Sequence, residues 1–345
     1  MSIFDIESDI RIAETLSADF YTNPSYFESS KSKIFARSWQ PAALEQLTSA
    51  IEPVTLLDGF LDEPLVITRT ADRVHCLSNV CTHRGMIVAE DCRSAANGLR
   101  CRYHGRRFGL DGTFLSMPEF DDALNFPSNA DNLRLFESEA WSGLRFVALD
   151  PAAPFGEFFG PAVEISSRLY SAPLKFAGNR DYDVNAHWAL YCENYLEGFH
   201  VPFVHPELNR AIDFESYETQ TFRYSSLQTA KSGDDCFDNS VAAYYFFVFP
   251  NMMFNFYPWG LSVNVVKPLT PGRTKVTYLT FIADETRRGS GAGGNLDAVE
   301  LEDQGVVEAV QKGIRSRFYD RGRYSPKQER GTHHFHQLIA EFMTK

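Results

Sequence analysis

The chain has 345 residues, 44% hydrophobic and 23% charged, with 29 Phe and 15 Tyr, so it can bury a large aromatic core and disorder is excluded. Lys and Arg number 33 against 45 Asp and Glu, and the net charge of −12 argues against a partner recognised through its phosphates. No stretch approaches the ~18 uninterrupted apolar residues of a membrane span, and the acidic start MSIFDIESDIRIAE lacks the apolar core of a secretory signal, so a cytoplasmic chain is expected.

Residues 1–38 read as polar-apolar helices, extended near Tyr21-Thr22-Asn23-Pro24, forming a segment that packs on the second of two domains. From Trp39 the periodicity changes. Short β-like runs at 64–69, 74–77, 98–102 and 143–149, separated by Gly, Asp and Asn turns, predict an all-β domain over 39–150. Pro151-Ala-Ala-Pro154-Phe-Gly156 marks the boundary. Residues 151–345 read as α+β: a helical stretch over 185–199, strands at 242–249, 261–266 and 275–281, and a helix from Leu296 to about Arg317. The fold class is therefore α+β, an all-β domain followed by an antiparallel sheet with flanking helices.

Before the last helix, Gly289, Gly291 and Gly294 satisfy G-x-G-x-x-G. Polar residues separate them from the preceding strand, and Asp297 and Glu300 open the helix that follows, where a pyrophosphate would be repelled. The segment Arg287–Asn295 reads as a flexible loop.

Six cysteines are too few for a disulfide scaffold, and in a reducing compartment Cys/His pairs point to metal. Two such pairs stand out, Cys81-Thr-His83-Arg-Gly85 and Cys101-Arg-Tyr-His104-Gly105, each followed by a glycine that allows a tight turn. Two thiolates and two imidazoles suit tetrahedral zinc or a 2Fe–2S cluster. The single-residue gap in Cys81-Thr-His83 departs from zinc spacing, and Tyr103 suits a shielded redox centre. These residues closely resemble the Rieske signature C-x-H-R-G … C-x-x-H-G. The other four cysteines read as buried small hydrophobes.

Downstream, His200 and His205 stand five apart, and Pro202 predicts a bend that brings both rings to one metal. Glu197 lies three before His200, a neighbour on a helical face. Two histidines and a carboxylate make a site for non-haem Fe(II). In the helix 295–317, Asp303 falls in one stripe with Val299, Val306, Val307, Val310 and Ile314, so its carboxylate points inward and calls for a cation. Glu302 is the nearest competitor, and Glu308 falls on a polar side with Gln311, Lys312 and Arg315. His333, His334 and His336, without an acid in register, read as surface or oligomer-contact residues.

The order of these motifs resembles the catalytic α subunit of Rieske non-haem iron oxygenases along nearly the whole chain. Glu193-Asn-Tyr-Leu-Glu197-Gly-Phe-His200 resembles the branch that oxidises choline, carnitine and betaine. Glu197 stands where the family usually has Asp, and His187-Trp188-Ala189 where it usually has Asn-Trp-Lys.

The resemblance implies a Rieske cluster on Cys81, His83, Cys101 and His104 and a mononuclear Fe(II) on His200, His205 and Asp303 in a helix-grip-like domain. It also implies electrons from NAD(P)H through a separate flavin/iron–sulfur reductase, and a head-to-tail homotrimer. Within that trimer they pass through His104 to Glu197 of the neighbouring protomer. The expected reaction uses O2 to hydroxylate or demethylate a methylated amine. The alternatives are an aromatic ring-hydroxylating oxygenase and a non-catalytic Rieske electron carrier. The run Phe246–Trp259 reads mostly as core, with the capacity to form a cation–π cage.

Overall fold

The computed structural model of the chain describes residues 3–94, 98–170, 173–232, 235–237 and 240–345. Met1 and Ser2, the start of the expected N-terminal helical segment, lie outside them. Two compact units form, one from Trp39–Pro151, the other from Met1–Ser38 and Ala152–Lys345. No helix among the described residues is long and apolar enough to cross a membrane.

The first unit is built from β1 (Gln40–Leu44), β2 (Ile51–Leu56), β3 (Glu63–Arg69), β4 (Val74–Ser78), β5 (Leu99–Arg100), β6 (Arg107–Phe108), β7 (Phe114–Ser116), β8 (Leu135–Trp141) and β9 (Leu144–Ala148). Six strands pair in the order β1-β9-β8-β4-β3-β2, and β5-β6-β7 form a smaller sheet. Ile51, Val66, Leu77, Leu99 and Phe108 meet in one buried cluster, and Cys81 and Cys101 belong to it. The ligand-bearing loops are thus fastened to the hydrophobic core rather than hung on the surface.

In the second unit, α1 (Ala18–Thr22), α2 (Pro24–Ser30) and a π-helical turn at Lys31–Phe35 precede the main body. Helix was expected across 1–38, but it begins only at Ala18, where Ser17 caps the backbone. Before it, Thr15 N bonds Gly322 O. The extended stretch narrows to Asn23, which caps the proline-initiated α2.

The remaining elements are α3 (Phe155–Leu169), β10 (Lys175–Val184), α4 (Trp188–Tyr195), α5 (Val201–Val204), α6 (Pro206–Ala211), β11 (Asp213–Thr221), β12 (Ser225–Lys231), β13 (Val241–Val248), β14 (Met252–Tyr257), β15 (Gly260–Thr270), β16 (Arg273–Ile282), α7 (Leu296–Gly313) and α8 (Arg330–Thr344). Seven strands make one antiparallel sheet ordered β10-β16-β15-β14-β13-β12-β11. Its centre is covered on both faces, so every residue of β14 is buried, whereas the edge strands β10 and β11 are mostly polar and solvated. α3 lies against β12 and β13, and α4 against β15 and α7.

Several expectations are corrected. The helix over 185–199 is shorter, ending at Tyr195, and α7 stops at Gly313. α8 buries a broad face, so His333 and His336 are interior, 7% and 0% exposed, while His334 is half-buried on its narrower solvated stripe. The acid missing from local register comes from far away: His336 Nε2 meets Glu193 Oε1 at 3.1 Å, and Nδ1 meets the Tyr324 hydroxyl at 2.6 Å. Of the four remaining cysteines, Cys76 and Cys192 are buried, but Cys92 is exposed and Cys236 half-buried.

Candidate functional site

Two loops of the first unit close in the same way. Cys81 N bonds Met86 O and Gly85 N bonds Cys81 O; Cys101 N bonds Arg106 O and Gly105 N bonds Cys101 O. Gly85 and Gly105 both have positive φ, 71° and 75°, which a side chain would oppose. The paired loops turn His83 and His104 toward each other, Nδ1 to Nδ1 at 3.2 Å, with both thiols buried behind them. Burial pushes the Cys81 thiol up and lowers His83, whose ring also faces His104. Two sulfurs and two inward ring nitrogens fit a 2Fe–2S cluster with mixed ligation.

Tyr103 was expected to shield this centre; it stacks on His104 at 3.7 Å but is itself 55% exposed. Behind the loops lies Arg106, which sequence reading missed. It is 2% exposed, pairs with Asp131 at 2.6 Å and lies over the rings of Phe108, Phe114 and Phe126. Its guanidinium holds the Asp131 carboxyl below its usual range.

In the second unit, His200, His205 and Asp303 bring one ligand atom each within 4.8 Å of one another. His205 Nε2 lies 3.0 Å from Asp303 Oδ1, and His200 Nε2 lies 3.6 Å from the same oxygen. The opposite ring nitrogens are held by other carboxylates. His200 Nδ1 meets Glu197 Oε1 at 2.7 Å, and His205 Nδ1 meets Glu302 Oε2 at 2.7 Å. Carboxylates only accept, so they favour the proton on each Nδ1 and free the Nε2 lone pairs for a metal. Two ring nitrogens that converge on one carboxylate oxygen hold either a proton or a cation between them, and the donor set fits Fe(II). Asn194 Nδ2 donates to Asp303 Oδ1 at 2.6 Å and fixes its rotamer.

The chain reaches this geometry differently from the expected route. Pro202 sits in the first turn of α5, where no hydrogen bond is lost; the break falls at His205, just before Pro206. Glu197 is not on a helix, because α4 ends at Tyr195 and Leu196 caps it. It reaches His200 through a turn closed by the backbone N–H groups of Phe199 and His200, both donating to Glu197 Oε2.

On α7 the buried face includes Glu300, Val307, Gln311 and Ile314, while Val310 is 45% exposed. Gln311, expected on the polar side, is buried because its Oε1 accepts from His187 N at 2.6 Å. Other acceptors fasten α7 along its length. Tyr182 donates to Asp297, Tyr191 and Tyr278 donate to Glu300, and Asn185 donates to Glu308 at 2.9 Å. Burial raises the Glu300 carboxyl, and its hydroxyl and amide donors oppose that rise.

A cavity adjoins Glu197, His200, His205 and Asp303. Its aromatic lining is entirely tyrosine: Tyr191, Tyr195, Tyr217, Tyr245, Tyr257 and Tyr278. No Lys or Arg lines it among the described residues. From the aromatic run 246–259 only Asn255 and Tyr257 reach the wall; the rest is core. The glycine-rich loop is tied by Arg287 and Ser290 to Asp235 and supplies Ala292 to the cavity.

Comparison with known proteins agrees with both centres. Residues 43–127 match the Rieske [2Fe-2S] domain, and residues 172–234 and 219–345 match the ring hydroxylating alpha subunit (catalytic domain). Choline monooxygenase, chloroplastic, of Arabidopsis thaliana is 29% identical, over 97% of this chain and 84% of its own length. The carnitine monooxygenase oxygenase subunit of Escherichia coli (strain K12) is 29% identical, over 95% and 94%. The crystal structure of the quaternary ammonium Rieske monooxygenase CntA with L-carnitine superposes with a TM-score of 0.76 at 25% identity, covering 97% of this chain and 96% of that one. The chain belongs to the catalytic alpha subunits of the Rieske ring-hydroxylating oxygenases, enzymes that join a 2Fe–2S cluster to a mononuclear iron.

Proposed function

We propose that this chain oxidises a methylated ammonium compound with O2 and electrons from a reductase. The cluster is held by Cys81, His83, Cys101 and His104, and the iron by His200, His205 and Asp303. The observation that carries the substrate is the tyrosine-lined cavity beside those three ligands. Tyrosine faces attract a cation that keeps its methyl groups in van der Waals contact, at about 0.5–2 kcal/mol per ring, while a neutral arene gains no such term.

When bound, the cluster supplies single electrons and the iron supplies O2 activation. The chain does the rest. Glu197 and Glu302 hold a proton on Nδ1 of His200 and His205, and Asn194 aims the Asp303 carboxylate. The tyrosines exclude water and hold the ammonium so that an N-methyl faces the ligand set. The same reading takes the assembly to be a head-to-tail trimer in which Glu197 faces His104 of a neighbouring copy. Supporting it, Phe199 and Phe203, 45% and 80% exposed, form an apolar pair beside Glu197.

The test joins metal counting to turnover. Wild type should hold about three iron atoms per chain and Asp303→Ala about two, with the cluster spectrum intact. With a reductase, trimethylammonium compounds should be turned over and arenes of similar size should not. Turnover of arenes alone would replace the substrate reading.

A further inference from the structure

The floor of the cavity is a polar row running across the sheet. Gln228 on β12 stands opposite Tyr245 on β13, and Tyr245 opposite Asn255 on β14. All three line the cavity, as does Asn264 on β15. Their hydrogen bonds fix which way the amides face. Gln228 Nε2 donates to Tyr195 O at 2.7 Å, and a carbonyl can only accept, so the amide cannot be flipped. The Tyr195 hydroxyl donates to Asn255 Oδ1 at 2.8 Å, and Asn255 Nδ2 donates to Asn264 Oδ1 at 3.4 Å.

These bonds leave Gln228 Oε1 over. The residue is 1% exposed, and this oxygen has no partner among the described residues. An unpaired buried acceptor on a cavity wall is a place for a ligand donor. The cavity also constrains the other end of the ligand. Its charged side chains are the carboxylates Glu197 and Asp303, and no Lys or Arg lines it among the described residues. A ligand carboxylate at the Gln228 end would set acceptor against acceptor, with no Lys or Arg of the lining to pair it.

We infer that the substrate is an N-methylated amino alcohol whose hydroxyl donates to Gln228 Oε1, and that zwitterions carrying a carboxylate are excluded. The inference rests on the ammonium reading above and sharpens it: Gln228 becomes the residue that reads the tail, while the tyrosines read the cation.

The experiment is a calorimetric titration of the metal-loaded protein without O2, using tetramethylammonium, choline, choline O-methyl ether and glycine betaine. Choline should bind about tenfold tighter than its ether, which cannot donate, and about a hundredfold tighter than glycine betaine. Gln228→Met should erase the difference between choline and ether while still holding about three iron atoms per chain, which shows that the variant is folded. Equal binding of choline and ether by wild type, binding of betaine as tight as choline, or an alcohol preference that survives in Gln228→Met each overturns the inference and leaves the ammonium reading standing. If tetramethylammonium and choline both fail to bind wild type, the ammonium reading itself falls, and this inference with it.

Discussion

His187 tests how the helix that forms one wall of the cavity is held. Its ring is fully buried, with the rings of Phe20, Tyr21 and Phe27 at 5.3, 5.5 and 6.1 Å, and burial pushes its pKa down to about 3. Nδ1 accepts from Ala189 N at 3.3 Å and caps α4, so the ring proton sits on Nε2. A second proton would charge an apolar pocket and remove the cap at once. In the unfolded chain the ring titrates near ~6.5. The folded pKa is the lower one, so the unfolded state takes up the proton first as pH falls. This group's contribution is therefore fully present above about pH 6.5 and is lost at about 1.4 kcal/mol per pH unit below it, until about pH 3.

His187→Asn keeps a capping acceptor but does not titrate. Between about pH 7.5 and about pH 5.5, wild type should lose about 1.4 kcal/mol more than the variant, or roughly 3–6 °C in Tm for a unit of this size. Scanning calorimetry on samples of equal metal content gives that difference of differences, in which packing losses common to both pH values cancel. If the two proteins weaken in parallel over that range, the ring is not the neutral cap described here.

Glu302→Ala should weaken iron binding by about 10–100-fold, measured against a chelator, with the cluster spectrum unchanged; full retention would mean that Glu302 does not orient His205. Glu197→Gln and Glu197→Ala should keep both metals and ammonium binding but lose steady-state turnover, Ala more severely. Single-turnover oxidation from the pre-reduced cluster is the decisive reading, and a wild-type rate in Glu197→Ala would end the proposed role. Arg106→Leu leaves Asp131 with only its Ser128 donors and should destabilise the cluster-bearing unit by about 3 kcal/mol in denaturant. Adding Asp131→Asn should recover part of that loss, and no recovery would locate the cost in packing.

The sequence discloses most readily what is local. The cysteine–histidine pairs lie within four residues of one another, so spacing alone marks them, and Asp303 follows from helical periodicity because α7 is amphipathic. Glu302 stayed a mere competitor because its partner, His205, lies 97 residues away. The tyrosines of the cavity come from α4, β11, β13, β14 and β16, gathered by a sheet register that no window of sequence contains. Edge strands β10 and β11 escaped because they bury too little to alternate cleanly. The histidines of α8 were misread because their partners are distant: His333 and His336 stand beside a solvated stripe of Arg330, Gln337 and Glu341, but they bond Glu7 O and Glu193 from far along the chain.

The fastening of α7 has a consequence for how variation in this chain will show itself. The helix delivers Asp303 to the metal site and Glu302 to the back of His205 as one rigid piece, whereas His200 is set by a turn of its own. A small slide of α7 would therefore withdraw two carboxylates together and leave the third in place. What resists the slide is a set of bonds well away from the ligands, Glu308 to Asn185 and Gln311 to the His187 backbone among them. Substitutions at those positions, chemically innocent and more than a helical turn from Asp303, should look in a screen like lesions of the metal site itself.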